Sequence, residues 1–254
     1  MYHVVIPARF GSTRLPGKAL ADIHGKPMIW WVWHRACQSN AASVIVATDH
    51  EDIARVMRSA GAHVAMTRDD HPSGTDRLAE VANQQRWSDD TVIVNLQGDE
   101  PLMPVLNLQQ VAQELVEHPS ASIATLSEPI DSLEDFANPS VVKVVTSSTG
   151  NACYFSRSMI PYPRAGATEV LSEIQQHARR HVGLYAYRCG FLREFVTWSP
   201  APTEQLESLE QLRALYHDRI IRVQPALESV PAGVDTPSDL ELVRRLMAGA
   251  RNAS

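Results

Sequence analysis

Short apolar runs rich in β-branched residues recur at Tyr2–Ile6, Ser43–Thr48, His63–Met66, Thr91–Leu96 and Ser122–Leu126, with helix-like segments between most of them. Runs of this length bounded by turn residues read as buried strands, and their alternation with helices predicts a parallel α/β sheet. The first helix is predicted to begin near Lys26-Pro27, since proline is tolerated in a first turn, and to continue through Trp30, Trp31, Val32 and Ala36. A second is predicted over Glu51–Ala60, opened by Asp49 or His50. It would turn Ile53, Val56 and Met57 inward and stop at Gly61. The chain up to Met66 thus reads as β-loop-α-β-α-β.

After Pro139 the pattern changes. Val141–Thr146, Ala152–Ser156 and Val182–Cys189 look like strands with no regular helix between them, which predicts antiparallel additions. The stretch from Pro161 to Arg179 reads as a loop with room for one short helix. Further on, the pattern predicts a helix over Leu206–Leu215, a strand over Ile220–Gln224 and a last helix from Thr236 to Met247. Thr236 would be its N-cap, Pro237 its first helical residue and Asp239 an acid in its first turn. No repeat or low-complexity linker divides the 254 residues, so the expectation is one domain over 1–254 with an antiparallel extension roughly within 140–190.

Composition narrows the class. With 44% hydrophobic and 20% charged residues the chain is ordinary for a globular protein, which excludes collagen-like, disordered and membrane compositions. A net charge of −6 argues against nucleic-acid partners, which favour a broad basic face, but leaves room for a small anion held by one loop. Cys37, Cys153 and Cys189 lie far apart, so no disulfide framework or C-x-x-C motif is present, and a reducing cytoplasm is the expected location. There is no basic leader with a long apolar core and no apolar run of spanning length, so neither export nor membrane insertion is expected.

Against that acidic background, three cations crowd into the loop after the first strand, Ile6-Pro7-Ala8-Arg9-Phe10-Gly11-Ser12-Thr13-Arg14-Leu15-Pro16-Gly17-Lys18. Its glycines permit close backbone approach and its hydroxyls add donors, as a polyphosphate requires. The spacing is neither G-x-G-x-x-G nor G-x-x-x-x-G-K-[ST]. Loops after the carboxyl ends of parallel strands bind ligands in open α/β sheets, and Arg9, Arg14 and Lys18 can there meet different phosphoryl oxygens; a solvated surface loop is the alternative. Asn95-Leu96-Gln97-Gly98-Asp99-Glu100-Pro101 follows another apolar strand and brings Asp99 to the same sheet edge. A carboxylate there can hold Mg²⁺ against phosphates or belong to an acidic turn. Asp235, just ahead of the last helix, offers a second carboxylate or simple dipole complementation.

His71-Pro72-Ser73-Gly74-Thr75-Asp76-Arg77 opens another helix. Amides near Ser73 and Gly74 can read a base or ribose and Arg77 can meet an acid or phosphate, while capping alone also accounts for Ser73. His71 fits an ordinary turn histidine, with no second histidine at ligand spacing. Three later motifs mix a cation with aromatics, amide and carboxylate: Tyr154-Phe155-Ser156-Arg157, Arg180-His181-Val182-Gly183-Leu184-Tyr185-Ala186-Tyr187 and Glu207-Ser208-Leu209-Glu210-Gln211-Leu212-Arg213. Arg157 suits a carboxylate, and His181, Tyr185, Glu210 and Gln211 suit sugar hydroxyls, as a polyhydroxy acid needs. Trp30, Trp31 and Trp33 fit either a core face or a subunit contact.

In this order the motifs resemble the 3-deoxy-manno-octulosonate cytidylyltransferases, the CMP-Kdo synthetases, over nearly the whole chain. Departures fall mainly between Pro163 and Arg179 and in the C-terminal tail. The resemblance implies a three-layer α/β/α nucleotidyltransferase (Rossmann-like) fold with a mixed, mainly parallel sheet and a small antiparallel extension for homodimerisation. It implies conversion of CTP and Kdo to CMP-Kdo and pyrophosphate, for lipopolysaccharide biosynthesis. By that likeness Arg9, Arg14 and Lys18 take the triphosphate, Ala8, Ser73 and Gly74 hold cytidine, and Asp99 and Asp235 bind Mg²⁺. Gln97, Arg157, His181, Tyr185, Glu210 and Gln211 form the sugar-acid site, with Arg77 near nucleotide and sugar. The competing readings are a cytidylyltransferase for 8-amino-Kdo or a sialic acid, and a silent nucleotide-binding protein.

Overall fold

The structure is a computed structural model that describes residues 1–11, 14–164 and 171–251; Ser12 and Thr13, expected to supply hydroxyl donors, lie outside the described residues. The elements run β1 (Tyr2–Ala8), β2 (Asp22–Ile23), β3 (Lys26–Pro27), α1 (Met28–Cys37), β4 (Ser43–Thr48), α2 (Glu51–Ser59), β5 (His63–Met66), α3 (Gly74–Gln84) and β6 (Val92–Asn95). They continue with α4 (Val105–Glu117), β7 (Ile123–Pro129), α5 (Leu133–Ala137), β8 (Lys143–Thr146), β9 (Ala152–Ser156), α6 (Leu171–His177) and β10 (Arg179–Arg188). Last come α7 (Cys189–Phe195), α8 (Pro202–Glu207), α9 (Gln211–Tyr216), β11 (Ile221–Pro225) and α10 (Pro237–Arg251). They group into two compact units, one of residues 1–109, 188–196 and 228–254, the other of residues 110–187 and 197–227.

In the first unit β1 lies between β4 and β6, with β5 outside β4, and these four strands pair in parallel. Val4, Val5 and Ile6 are fully buried, as a strand covered on both faces requires. The predicted start of α1 is corrected by two residues: Lys26-Pro27 pairs with Asp22-Ile23 as a small antiparallel ribbon, and Pro27 stands outside the helix as its cap. α1 buries Met28, Ile29, Val32 and Ala36, while its tryptophans are half-buried. Trp31 packs on the cluster of Ile23, Met28, Val234, Leu240, Val243 and Met247 and donates Nε1–H to the Ile23 carbonyl at 2.9 Å, so it belongs to the core of this unit. α2 ends ahead of Gly61, whose φ of +86° suits glycine.

In the second unit β7 pairs parallel with β11 and antiparallel with β10, which also runs antiparallel to β8; β8 and β9 are antiparallel neighbours. Together the two units are α/β with mixed, mainly parallel pairing. β10 begins at Arg179, earlier than the apolar pattern indicates, which puts Arg180 and His181 in the ladder opposite Glu128 and Ser127. The predicted helix over Leu206–Leu215 is two helices. Ser208, in the left-handed region with φ 50°, ends α8, and a bidentate Arg213–Glu204 pair (2.6 and 2.8 Å) holds α9 to it.

Candidate active site

β1 and β6 run parallel, with Asn95 at the end of β6 opposite Val5 and β1 continuing to Ala8, so the loops after both strands leave the same edge of the first unit. Gly98 allows their close approach, because a Cβ there would stand 2.9 Å from the Pro7 carbonyl oxygen. A pocket of about 320 Å³ opens at this edge, lined by residues that include Ala8, Arg9, Arg14, Lys18, Gln97 and Asp99. His71, Ser73, Gly74 and Arg77 from the start of α3, and Asp235 from the segment before α10, complete the lining used below.

Lys18 draws the carboxylates together, with Nζ 2.5 Å from Asp99 Oδ2 and 3.1 Å from Asp235 Oδ1. Arg14 reaches Asp235 Oδ1 at 3.0 Å. The Val234 amide donates to the Asp99 carbonyl at 2.8 Å, fixing the two acidic segments side by side. Dipole complementation does not account for Asp235. Asp239 takes that task, accepting from the amides of Asp235 and Thr236 at 3.0 and 2.8 Å while Thr236 Oγ1 accepts from the Asp239 amide. Asp235 is left facing cations. Arg9 is exposed and has no side-chain partner among the described residues.

Glu100, which the sequence reading left without a role, is half-buried beside these groups, with its carboxyl turned away from solvent. Burial first, and the Asp99 charge second, push its carboxyl up to about 8, so it keeps its proton at neutral pH. Its Oε2 has no hydrogen-bond partner among the described residues.

Arg77 meets an acid within the protein itself. It is 4% exposed, and its guanidinium donates to Asp49 Oδ2 at 2.6 Å and to Thr67. Its charge is already balanced, so it shapes the pocket wall more than it clamps an anion. The Ser73 hydroxyl is likewise committed: it accepts from the amides of Thr75 and Asp76 as the cap of α3 and donates to Asp76 Oδ2 at 2.7 Å.

Of the expected sugar-acid residues, Gln97 lies in this pocket, and Arg157, His181, Tyr185, Glu210 and Gln211 belong to the second unit. There the His181 ring is 5.2 Å from Tyr185 and 5.1 Å from Phe155. Burial pushes the His181 imidazole down to about 3, so it is neutral. Thr125 Oγ1 stands 3.1 Å from His181 Nε2 and within 2.9 Å of the carbonyls of Val182 and Leu184. Its one hydrogen goes to those carbonyls, so Nε2–H donates to it and Nδ1 is left as an acceptor. Burial, with the Tyr187 and Glu210 charges behind it, drives the Tyr185 phenol well above its ordinary value and keeps it a donor. Gln211 Nε2 is buried without a partner among the described residues, as a group awaiting a ligand would be.

The Arg157 guanidinium is spent on backbone: Nε donates to the Glu207 carbonyl at 2.6 Å, Nη1 to Pro139 at 3.0 Å and Nη2 to Ser208 at 3.3 Å. These carbonyls leave its charge unneutralised. Sequence reasoning missed Glu207 as the organiser here; its carboxylate accepts from the Ser156 hydroxyl at 2.7 Å and the Arg157 amide at 2.9 Å. Fully buried Lys143 donates to the Arg157 carbonyl at 2.6 Å, and desolvation lowers its pKa. Their place in named motifs was the only signal for Glu207, and Lys143 had none.

A parallel α/β edge holding a cationic loop against two carboxylates defines a nucleotidyltransferase-type site. The chain matches the cytidylyltransferase family over residues 3–221 and belongs to it. It is 51% identical over 250 residues to the 3-deoxy-manno-octulosonate cytidylyltransferase of Pseudomonas syringae pv. syringae (strain B728a), covering 98% of each chain. A solved structure of CMP:2-keto-3-deoxy-manno-octonic acid synthetase complexed with CTP superposes with a TM-score of 0.89 at 43% identity, over 98% of this chain and 100% of that one. A cytidylyltransferase from Leptospira borgpetersenii serovar Hardjo-bovis (strain JB197) shares the fold, with a TM-score of 0.63 at 15% identity over 97% of this chain and 86% of that one. The resemblance read from the motifs therefore holds along the whole chain.

Proposed function

We propose that the chain transfers CMP from CTP to the anomeric hydroxyl of 3-deoxy-D-manno-octulosonate and releases pyrophosphate, as a Mg²⁺-dependent homodimer of the cytoplasm serving lipopolysaccharide biosynthesis. The observation that carries this reading is the gathering of Asp99 and Asp235 around the Lys18 ammonium in a pocket with Arg9 and Arg14. Identity of 51% over 98% of the chain to the Pseudomonas syringae 3-deoxy-manno-octulosonate cytidylyltransferase supports it and does not favour the sialic acid, amino-sugar or silent-binder readings.

Two carboxylates with phosphate oxygens and water are the donor set Mg²⁺ prefers, and a lysine already occupies the place where a cation is wanted. Bound there, Mg²⁺ would neutralise phosphate charge and acidify the attacking hydroxyl. Arg9, Arg14 and Lys18 take the triphosphate oxygens and hold the departing pyrophosphate, so charge that develops in the transition state meets fixed cations. The amides at the start of α3 beside Ser73 and Gly74, together with Ala8, receive the nucleoside. Gln97, Arg157, His181, Tyr185, Glu210 and Gln211 bind the sugar acid, Arg157 through its carboxylate and His181 Nδ1 as acceptor from a hydroxyl. No helix among the described residues is long and apolar enough to cross a membrane.

Pyrophosphate release across a panel of nucleoside triphosphates and sugar acids tests the reading. CTP with Kdo is the productive pair, CTP alone is inert, and selective use of a sialic acid would overturn it. Sedimentation equilibrium tests the dimer.

A further inference from the structure

At the nucleoside end of the pocket the side chains that sequence reasoning nominated are used up. Ser73 caps α3 with its hydroxyl and gives its proton to Asp76. Arg77 is bound to Asp49 and Thr67. Ala8 and Gly74 offer backbone only. The remaining lining residue with a polar side chain here is His71, next to the cap of α3.

Its ring is not loose. His71 Nε2 stands 2.5 Å from Glu80 Oε2, one α3 face supplying the carboxylate, and the side chains are 11% and 23% exposed. Glu80 is itself fixed: Oε2 accepts from the Arg68 amide at 3.0 Å and Oε1 from Gln84 Nε2 at 2.9 Å. Its carboxyl lies below the ordinary carboxylate range even though burial opposes this, because His71 and the Arg68 amide bond to its charged form. A carboxylate at Nε2 puts the hydrogen of the imidazole tautomer on that nitrogen, which leaves Nδ1 as the acceptor position, and Nδ1 has no partner among the described residues.

We propose that His71, oriented by Glu80, is a specificity-determining residue that accepts a hydrogen bond from the exocyclic amino group of a cytosine base and thereby rejects uracil. A uracil carbonyl at the same place would set acceptor against acceptor, leaving both unsatisfied. Glu80 touches no ligand; it is a positioning residue that fixes the ring and its tautomer, as an outer carboxylate does for a metal-bound histidine. The proposal rests on the nucleotide-binding reading of this pocket and adds the residues that choose among nucleotides.

Titration calorimetry of CTP and UTP, without sugar acid, onto wild type, His71→Ala, Glu80→Ala and the double variant tests it without requiring turnover. The wild type is expected to prefer CTP. Each single variant should lose about tenfold in CTP affinity with UTP affinity nearly unchanged, and the double variant should lose little more than either, since the two residues act as one unit. Steady-state assays should show the loss in KM for CTP with kcat little changed. An unchanged CTP-to-UTP ratio in His71→Ala overturns the proposal. So does equal weakening toward both nucleotides, the signature of a merely structural role. His71→Gln, whose amide oxygen can accept from the base, should regain part of the preference; no recovery in a variant with wild-type melting temperature also counts against it. Failure of the wild type to make product from CTP and Kdo while the CTP preference follows His71 would defeat the proposed reaction and leave this inference standing.

Discussion

Lys18 donates to Asp99 at 2.5 Å across the mouth of the first unit's pocket, the ammonium 16% and the carboxylate 30% exposed. The pair joins the two features that define the site, the cationic loop and the acidic sheet edge. Replacing Asp99 by Asn keeps the volume and removes the charge. Turnover is expected to fall at least about a hundredfold, the usual cost of losing one preorganised electrostatic group, with circular dichroism and melting temperature close to wild type. Near-native activity in the folded variant would defeat the assignment.

Chelation gives an independent check. Exhaustive treatment with EDTA should abolish pyrophosphate release and added Mg²⁺ should restore it. In Asp235→Asn the Mg²⁺ needed for half-maximal rate should rise about tenfold or more, because one of two carboxylate ligands is gone. Full activity in the chelated enzyme would remove the metal from the reaction.

Glu207 holds Arg157 through its own carboxylate and carbonyl, with no ligand in between. Glu207→Gln keeps an acceptor but loses the charge, so KM for the sugar acid should rise roughly tenfold while CTP affinity stays unchanged. Equal losses toward both substrates would show that the carboxylate supports the fold at large.

The neutral, half-buried His181 makes stability fall in acid. Its pKa is about 3 in the folded chain against 6.5 when free, so between these values only the unfolded state takes up the proton. Its contribution is therefore intact above pH 6.5 and is progressively lost as pH falls toward 3. Urea midpoints of His181→Gln should decline less steeply than wild type over that window, and parallel curves would contradict the burial of the ring.

Glu114 and Arg222 pair at 2.7 Å with both side chains 8% exposed. Glu114→Ala strands a buried guanidinium and should cost about 3–5 kcal/mol in chemical denaturation. A loss below about 1 kcal/mol, the range of exposed pairs, would show that the pair is wetter than its exposure indicates.

Legibility tracked how local the determinant is. Ser43–Thr48 and His63–Met66 were read with their observed bounds because continuous apolar runs between turn residues leave a strand few alternatives. The break at Ser208 is hidden: Leu206, Leu209, Leu212 and Leu215 keep helical spacing straight through a residue in the left-handed region, whose carbonyl accepts from Arg157, far away in sequence. Likewise the types of Arg9, Arg14, Lys18, Asp99 and Asp235 announced a phosphate and cation site. What Arg77, Arg157 and Ser73 do in the folded chain depends on Asp49, Glu207 and Asp76, and spacing alone could not separate a free guanidinium or hydroxyl from a committed one.

The Lys18 bridge also has a meaning during synthesis. Its two acceptors leave the ribosome far apart in time, since the segment carrying Asp235 is made long after Asp99, and the buried Val234 beside it must dock on Ile23 and Met28 from the opening of the chain. A nascent polypeptide stalled before that segment can fold its early strands but holds only half of its carboxylate pair.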